Sequence, residues 1–467
     1  MKSRFTLLVA VLFLLVCSVP CFAGGGFALP GVGSKALNMG GAFRGLADDW
    51  SAAYWNPAGL AYLPQSEFTM NLYTFNFRPE YTPDFTMGEG GYTYSFGYPD
   101  QTYYPEDRAF FLPSFSGFHK FAQYEGFIGG VAFFVPYKLE SRWDLYKPPA
   151  GYDNNVPYPR FDHATDILVW DLHPTVAKTF MDDKLALGLG LNILRADFGL
   201  RRTVLTRTPL GYTRPYDFFP VDEQINTDGW GLGFNAGILY KMSPKFQLGF
   251  SYQSPVDIDL KGDVELEMYL PMIPNSELLG GTIYFRDGDF ETTLPLPGEI
   301  GVGVMYRFNE KLIFTSDISS VNWSSLEFVD TWDYNLVAGQ LDTLYASVRE
   351  AELPFNWDNI VRFSLGGEYI LRENLFLRGG YFFEQSPIPD ETFTLLIPDL
   401  GDKHSLNLGL SYQINSLEFG YDYQLVAHKK REVAELVDTN GDGRFDNMPG
   451  TYKMVFHCSG LSFTYRF

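Results

Sequence analysis

The feature of this sequence that most restricts its fold is a two-residue alternation of apolar and polar side chains. In "SLNLGLSYQI" five alternate residues are apolar: Leu406, Leu408, Leu410, Tyr412 and Ile414. The stretches "LEFGYDYQL" and "LSFTYRF" repeat the pattern, and small or polar residues lie between the apolar ones. Because successive side chains of a β-strand point to opposite faces, each stretch predicts a strand with one apolar and one polar face.

The connections between these strands favour a membrane barrel over a soluble sandwich, which also alternates. From Ser66 onward the sequence predicts fourteen strands. Short polar turns are predicted at 122–125, 181–184, 242–245, 308–311, 372–374 and 415–416. Long links are predicted at 79–107, 139–164, 207–226, 262–297, 329–357, 386–402 and 429–450. Because short turns at one rim and long loops at the other are typical of outer-membrane barrels, we predict an all-β, 14-stranded antiparallel transmembrane β-barrel over residues 66–467.

The amino terminus predicts export. Lys2 and Arg4 precede the apolar run "FTLLVAVLFLLV", which is too short to cross a bilayer as a helix. The small-residue stretch "CFA" follows, so residues 1–23 are predicted to be a signal peptide that is cleaved after Ala23. Cys458 is then the single remaining cysteine, and no internal disulfide is expected. The predicted location is the outer membrane.

Charge and motifs argue against two classes of protein. The chain has 56 acidic and 35 basic residues and a net charge of −21, so nucleic acid is not an expected partner. Its six histidines are scattered, and the chain contains neither His-Glu-x-x-His nor Gly-x-Ser-x-Gly. We therefore expect no enzymatic activity, and no cofactor apart from a candidate calcium ion.

Residues 24–65 do not alternate. They are rich in Gly, Ala and Pro, yet they include bulky side chains such as Trp50, Tyr54, Trp55 and Leu60. A flexible tail would be poor in such residues, so this segment needs apolar surroundings. The barrel interior can supply them, and we predict that the segment forms an N-terminal plug, or hatch.

The sequence "NPAG" predicts a rigid turn within this segment. Pro57 fixes φ and removes one N–H group, Asn56 can bond to the local backbone, and Gly59 permits a turn. We expect Asn56, Pro57, Ala58 and Gly59 to give the plug a fixed local shape. A purely structural turn is the alternative.

The stretch "GFALPGVGSKALNMGGAFRGLADDWSAAYWNPAGLA" resembles the hatch of the FadL/OmpP1/TodX family of outer-membrane transporters. Asn56, Pro57 and Ala58 match the NPA motif of that family, and "VNWSSLEF" and residues 378–412 also resemble its patterns. The resemblance implies a plugged fourteen-stranded barrel that imports hydrophobic molecules. Long-chain fatty acids are the best-known substrates, and some relatives carry aromatic hydrocarbons. It also implies capture at extracellular loops, an apolar interior site, hatch movement and lateral release through the wall.

In the family, lateral release occurs at a kinked third strand. The third predicted strand here, "GFIGGVAFFVPYKL", contains Gly129, Gly130 and Pro136. Proline cannot donate to a strand ladder and glycine often marks a bend, so these residues are candidates for a kink in the wall. Ordinary barrel glycines and a proline at the rim are the alternative.

Two arginines are candidates for binding a ligand carboxylate. Arg362 and Arg378 lie on the polar face of the tenth and eleventh predicted strands. If the turn between these strands is at 372–374, Arg362 faces Glu384 and Arg378 faces Glu368, as cross-strand pairs of the wall. We favour the wall pairs over ligand contact.

The stretch "DTNGDGRFD" resembles a calcium loop. The candidate ligands are Asp438, Asn440, Asp442 and Asp446. They follow the first positions of an EF-hand loop, but Pro449 occupies the position of the final glutamate. A polar surface turn in the last extracellular loop is the alternative.

These features together predict passive uptake of hydrophobic molecules, most readily long-chain fatty acids. An aromatic-hydrocarbon transporter, a water-filled porin and a surface adhesin remain alternatives. The expected partners are a hydrophobic small-molecule ligand, outer-membrane lipids and lipopolysaccharide. A monomer is expected, because a closed barrel has no free strand edge.

Overall fold

A computed structural model gives the positions of most of the chain. It describes residues 26–84, 95–97, 101–107, 109–147, 151–152, 158, 160–207, 213, 215–273, 281–284, 288–326, 328–329, 353–397, 399, 401–439 and 445–467. The predicted signal peptide, residues 1–23, lies outside these residues.

Fourteen antiparallel strands form a closed barrel, as predicted. They are β1 (Glu67–Pro83), β2 (Ala109–Lys120), β3 (Phe127–Trp143), β4 (His163–Phe180), β5 (Leu185–Arg207), β6 (Phe218–Ser243), β7 (Phe246–Gln253 and Val256–Leu270), β8 (Gly288–Leu296 and Glu299–Arg307), β9 (Leu312–Val321), β10 (Ile360–Arg372), β11 (Leu375–Glu384), β12 (Lys403–Ile414), β13 (Leu417–His428) and β14 (Gly450–Arg466). The pairing of β1 with β14, from Glu67–Arg466 to Pro83–Gly450, closes the barrel.

The helices are short and are not part of the barrel wall. The α-helices are α1 (Ser34–Asn38) and α2 (Ala52–Trp55), and the 3₁₀ helices are Pro57–Tyr62, Trp323–Ser325 and Asp390–Thr392. Short strands pair Ser95–Phe96 with Tyr146–Lys147 and Phe328–Val329 with Leu353–Pro354, and Gly281–Tyr284 and Arg431–Val433 pair with β7 and β14. Among the described residues, no helix is long and apolar enough to cross a membrane.

The two faces of the strands have opposite polarity. On β12 the apolar residues point outward, and Leu406 and Leu408 are 62% and 65% exposed. The alternate residues Ser405 and Asn407 are buried inside. This arrangement, apolar outside and polar inside, confirms the predicted alternation and is the one that a lipid environment requires.

The turn lengths follow the predicted order, with short turns at one rim and longer links at the other. The turns at 181–184, 308–311 and 415–416 have the predicted bounds. Several long links are shorter than predicted, however: the links at 79–107 and 139–164 lose a few residues because β1 and β3 run to Pro83 and Trp143. The link at 207–226 loses more, because β5 and β6 pair as far as Arg207 and Phe218.

The prediction of a link at 207–226 was therefore wrong in its second half, and the link at 262–297 is shortened in the same way by β7 and β8. At this end of the strands, charged residues such as Arg201 interrupt the outward apolar face. The backbone hydrogen bonds between the two strands continue there, but the sequence lacks the outward apolar alternation from which a membrane strand is predicted.

Candidate functional site: two cavities beside the N-terminal segment

The N-terminal segment, defined here as residues 26–65, contacts strands on several sides of the barrel. On β10, Glu368 forms an ion pair with Lys35, with 3.1 Å between the charged atoms. On β13, Asp422 accepts a hydrogen bond from the hydroxyl of Ser34 at 2.5 Å. The 3₁₀ helix that follows Asn56 contacts β4, β5 and β6. The segment therefore lies among the inward-facing side chains of the wall.

Asn56 joins the segment to itself and to the wall. Its side-chain oxygen accepts a bond from the N–H of Ala58 at 3.3 Å, which is the local turn that the sequence predicts. Its Nδ2 donates to the carbonyl of Arg44 at 2.8 Å and to that of Ile238, on β6, at 3.1 Å. The side chain is fully buried, so these bonds are made away from water.

Glycines of the wall make room for the segment. At eight inward-facing glycines an added Cβ atom would collide with the segment. They are Gly188, Gly237, Gly249, Gly301, Gly303, Gly366, Gly380 and Gly409. A Cβ atom at Gly249 would lie 1.9 Å from the carbonyl oxygen of Arg44, far closer than a carbon and an oxygen that are not bonded can approach. The segment thus packs directly on the backbone of the barrel.

The four bulky residues singled out in this segment have different surroundings. Trp50, Trp55 and Leu60 are buried in one apolar cluster, and Tyr54 packs against it. The indole of Trp55 donates to the carbonyl of Val32 at 2.8 Å. Burial raises the pKa of the Tyr54 phenol well above its usual value, so this side chain is uncharged at any physiological pH.

The third strand contains a bulge. The pairing of β3 with β4 shifts its register between Phe134 and Tyr137, so that two residues, one of them Pro136, lie opposite one residue of β4. Gly129 and Gly130 pair regularly with β4. Of the three candidate kink residues, the structure therefore places Pro136 at an irregularity of the wall and the two glycines in regular ladder.

The wall has a gap beside this bulge. In the described residues, β2 and β3 pair from Lys120–Ile128 to Phe115–Phe133 and no further. Both strands continue for several residues beyond that point, and neither finds a ladder partner in the other.

A cavity that is partly open to solvent lies at this gap. We call it the wall cavity. Its lining includes Phe110 of β2, Lys138 of β3, Lys403 of β12 and the start of the N-terminal segment.

A second cavity, which we call the central cavity, lies next to the wall cavity. Its lining includes Tyr54, Trp55, Tyr137, Trp323 and Arg362.

A narrow strip of the N-terminal segment separates the cavities. Ala28 and Leu29 line both of them, as does Glu384. The N–H of Leu29 donates to the carbonyl of Pro136 at 3.0 Å, so the strip is attached to the bulge of β3. One residue pair, Ala28 with Tyr137, forms an isolated β-bridge there.

The charged residues predicted to face each other across β10 and β11 do so. Arg362 is paired with Glu384 at 3.2 Å, and Arg378 with Glu368 at 2.7 Å, which confirms both cross-strand pairs. Arg378 is also 3.7 Å from Glu418 and does not line either cavity.

Arg362 differs from Arg378 in two respects. It lines the central cavity, and its guanidinium lies over the rings of Trp55 and Phe382, at 5.5 Å and 4.2 Å from their centroids. Its Nε and Nη2 atoms are buried, and neither has a hydrogen-bond partner among the described residues. A guanidinium with unused N–H donors can receive a carboxylate.

The candidate calcium residues are only partly described. Asn440 and Asp442 lie outside the described residues. Asp446 accepts hydrogen bonds from the N–H and the hydroxyl of Thr439, at 2.7 and 2.6 Å. Among the described residues, no group of three or more His, Cys, Asp or Glu is placed to hold a metal ion. Calcium binding by Asp438 and its neighbours stays a prediction.

Several residues that line the cavities or pack beside them were not identified from the sequence. Phe27, Trp323 and Trp357 form an aromatic group whose ring centroids are 5.1–6.0 Å apart, and Lys403 and Asp399 form an ion pair at 3.1 Å. Trp323 falls within "VNWSSLEF" and Asp399 within residues 378–412, the two stretches that resemble the family. Those stretches were the available signal, but they did not reveal which side chains point inward.

Comparison with known proteins supports the resemblance. A family model described as "Outer membrane protein transport protein (OMPP1/FadL/TodX)" matches residues 15–467. The chain belongs to this family. Its members are outer-membrane channels that transport hydrophobic compounds, among them fatty acids and aromatic hydrocarbons, and they are not enzymes.

Individual members of the FadL family are distant in sequence and close in fold. Outer membrane protein P1 of Haemophilus influenzae is 26% identical over 370 residues, 72% of each chain. The long-chain fatty acid transport protein of Escherichia coli K12 is 26% identical over 210 residues, 43% of each chain.

Solved structures of the family cover nearly the whole chain. A Pseudomonas aeruginosa FadL homologue aligns with a TM-score of 0.75 at 19% identity, over 95% of this chain and all of that one. The Pseudomonas putida toluene transporter TodX aligns with a TM-score of 0.68 at 17% identity, over 94% and 99%. At these identities the structures show a shared fold.

Proposed function

We propose that this FadL-family protein imports long-chain fatty acids by passive diffusion across the outer membrane. The observation that carries this proposal is the central cavity, whose lining combines aromatic side chains with Arg362, a residue with two buried nitrogens that have no hydrogen-bond partner among the described residues. Such a site suits a molecule with a long apolar body and one carboxylate. The relatives named long-chain fatty acid transport protein support the same substrate class.

Apolar contact supplies most of the affinity. Burying sixteen methylene groups at about 0.8 kcal/mol each gives about 13 kcal/mol, before the costs of binding are subtracted. A single hydrogen bond to a charged group adds only about 1.5–3 kcal/mol. Arg362 therefore orients the ligand and selects for a carboxylate, while Trp55 and its apolar neighbours hold the chain.

The N-terminal segment acts as the plug in this proposal. Its contacts with β6, β10 and β13 support a position across the lumen, where it would prevent free passage of ions. The NPA turn, with Asn56 bonded both to the segment and to the wall, keeps the plug in one shape. This position also argues against the alternative of a water-filled porin.

The route of the ligand follows from the two cavities. A ligand captured at the extracellular loops enters the central cavity. Movement of the strip at Ala28 and Leu29 then joins this cavity to the wall cavity, and the ligand leaves sideways through the gap between β2 and β3. The bulge at Pro136 holds that gap open, because the extra residue prevents β3 from continuing its ladder with β2.

Aromatic hydrocarbons are the second candidate substrate class. The aromatic group of Phe27, Trp323 and Trp357 lies beside the central cavity and favours them. A neutral hydrocarbon, however, gives Arg362 no partner. A surface adhesin, another alternative, would bind its partner without uptake and would need neither cavity.

The test is uptake of labelled hexadecanoate beside labelled toluene, in cells that lack their own transporter of this kind. We expect hexadecanoate to enter faster than in cells with an empty vector. Toluene uptake alone would keep the route and replace the substrate. If neither compound enters above background, the import proposal is refuted.

A deletion of Pro136 tests the lateral route in the same cells. Removing one residue of the bulge should allow regular pairing of β3 with β4 and close the gap, so uptake should fall to background. Val131→Ala, an outward-facing change in the regular part of β3, is the matched control and should leave uptake unchanged. Equal uptake by the deletion and the control, at matched surface levels, would contradict the route.

A further inference from the structure

Four charged side chains form a row that joins the two cavities. Arg362 is paired with Glu384, Glu384 lies 3.4 Å from Lys403, and Lys403 lies 3.1 Å from Asp399. Each of the four residues is more than nine-tenths buried. The row carries two positive and two negative charges, so it is electrically neutral in the absence of a ligand.

Asp399 also holds the beginning of the strip between the cavities. Its Oδ2 accepts a hydrogen bond from the N–H of Gly26 at 2.6 Å. Two residues later the strip, Ala28 and Leu29, is attached to the bulge of β3. Asp399 is therefore in contact both with Lys403, which lines the wall cavity, and with one end of the partition.

We propose that Lys403 is a second binding station for the ligand's carboxylate, and that the ligand displaces Asp399 from it. The displaced Asp399 releases Gly26, and the partition opens. This inference rests on the proposed import of fatty acids and adds to it a residue that distinguishes acids from neutral hydrocarbons.

Electrostatics require a displacement. A ligand carboxylate would be a fifth buried charge in a neutral row, and an unpaired buried charge is strongly unfavourable. Glu384 ends a barrel strand and is held by both Arg362 and Lys403. Asp399 belongs to the link before β12 and has Lys403 as its nearest cation. Of the two carboxylates, Asp399 is therefore the one that leaves.

The environment of Asp399 supports its role as the leaving group. Burial raises the pKa of this carboxyl above its usual value, and the pairing with Lys403 opposes that rise. Once Lys403 is taken by a ligand, Asp399 loses the interaction that offsets its burial. It then moves toward water or takes up a proton, and either change weakens its hold on Gly26 as an ionised acceptor.

A neutral ligand has no such effect. A long-chain alcohol of the same length makes the same apolar contacts, but it brings no charge to Lys403. It leaves the pair of Lys403 and Asp399 intact, and the partition stays closed.

The test is calorimetric binding of dodecanoate and dodecan-1-ol to the purified full-length protein in detergent, at pH 8. Lys403→Met should weaken dodecanoate binding about tenfold, or about 1.4 kcal/mol, and leave the alcohol unchanged. Lys403→Arg should keep the native preference. Lys430→Met, which removes an exposed lysine paired with Glu432, is the control and should change neither affinity.

Asp399→Asn gives the sharper result, because a structural fault cannot produce it. Removing the competing charge should tighten dodecanoate binding about tenfold and leave the alcohol unchanged. Loss of affinity for both ligands, or for neither, in Lys403→Met and Asp399→Asn overturns this inference alone. If the native protein does not bind dodecanoate at all, the proposed fatty-acid substrate falls with it.

Release of the partition has its own readout. A cysteine introduced at Ala28 should react with a maleimide faster when dodecanoate is present and at an unchanged rate with dodecan-1-ol. Equal rates with both ligands would overturn the coupling between Lys403 and the strip.

Discussion

If the N-terminal segment is the plug that we propose, replacing Asn56 with alanine should displace it from the lumen and turn the barrel into a conducting pore. The side chain donates two hydrogen bonds, to the carbonyls of Arg44 and Ile238, and accepts one from the N–H of Ala58. All of these are lost in Asn56→Ala. We call the plug seated when it is docked in the lumen and unseated when it is displaced. In the unseated state the same groups can bond to water, so the substitution raises the free energy of the seated state only.

The size of the effect follows from the buried partners. Each carbonyl left without its donor costs about 1–2 kcal/mol, so the seated state loses about 2–4 kcal/mol relative to the unseated one. Since each 1.4 kcal/mol is tenfold in an equilibrium, the ratio of unseated to seated plug should rise about 30-fold to 700-fold.

Single-channel recording in planar lipid bilayers measures this ratio as the fraction of time spent at high conductance. Asn309→Ala is the matched control, because Asn309 also holds a turn through its side chain but is exposed at the rim and does not contact the segment. If Asn56→Ala is folded and its conducting fraction equals that of Asn309→Ala, the side chain does not seat the plug and the reasoning is refuted.

Three further perturbations have expected outcomes. Gly249→Leu should raise ion conductance in the same recordings, because the leucine side chain would occupy the position of the Arg44 carbonyl. Gly367→Leu is the control, since a Cβ atom has room there, and it should leave the conductance unchanged. Burial alone would lower the pKa of Lys35, but neighbouring carboxylates raise it above its usual 10.5. The stabilisation that Lys35 gives to the docked segment is therefore complete below pH 10.5 and is lost as the pH rises through the higher value. Conductance should be constant from pH 7 to 10 and increase only above 10.5. Arg362→Met should weaken hexadecanoate binding about tenfold and leave toluene binding unchanged, and an equal loss for both would show that Arg362 does not contact the carboxylate.

The barrel could be predicted because lipid and lumen impose opposite demands on alternate residues. The outward apolar residues and inward small or polar residues of β12 follow this rule from Ser405 to Ile414. In the first residues of β6 the inward side chains Phe219 and Val221 are apolar and buried, and the neighbouring Asp222 is paired with Arg201 of β5. The error at 207–226 is therefore confined to a part of the strands where the apolar residues no longer face outward.

The site could be predicted only where a single strand pair determines it. Arg362 and Glu384 follow from the position of one turn, and the structure has that register. The contact of Asp399 with Gly26 joins residues 373 positions apart and depends on how a link folds over the lumen. No local pattern in the sequence contains that information.

The N-terminal segment precedes every barrel strand in the chain, yet the wall residues that it contacts belong to strands as late as β13. The hydroxyl of Ser34 bonds to Asp422, which lies 388 positions later, and the wall glycines on which the segment packs lie on strands from β5 to β12. Contacts so distant in sequence are expected to form late. If the segment is the plug that we propose, each newly assembled barrel is an open pore until the segment docks, and the docking rate sets how long that pore conducts.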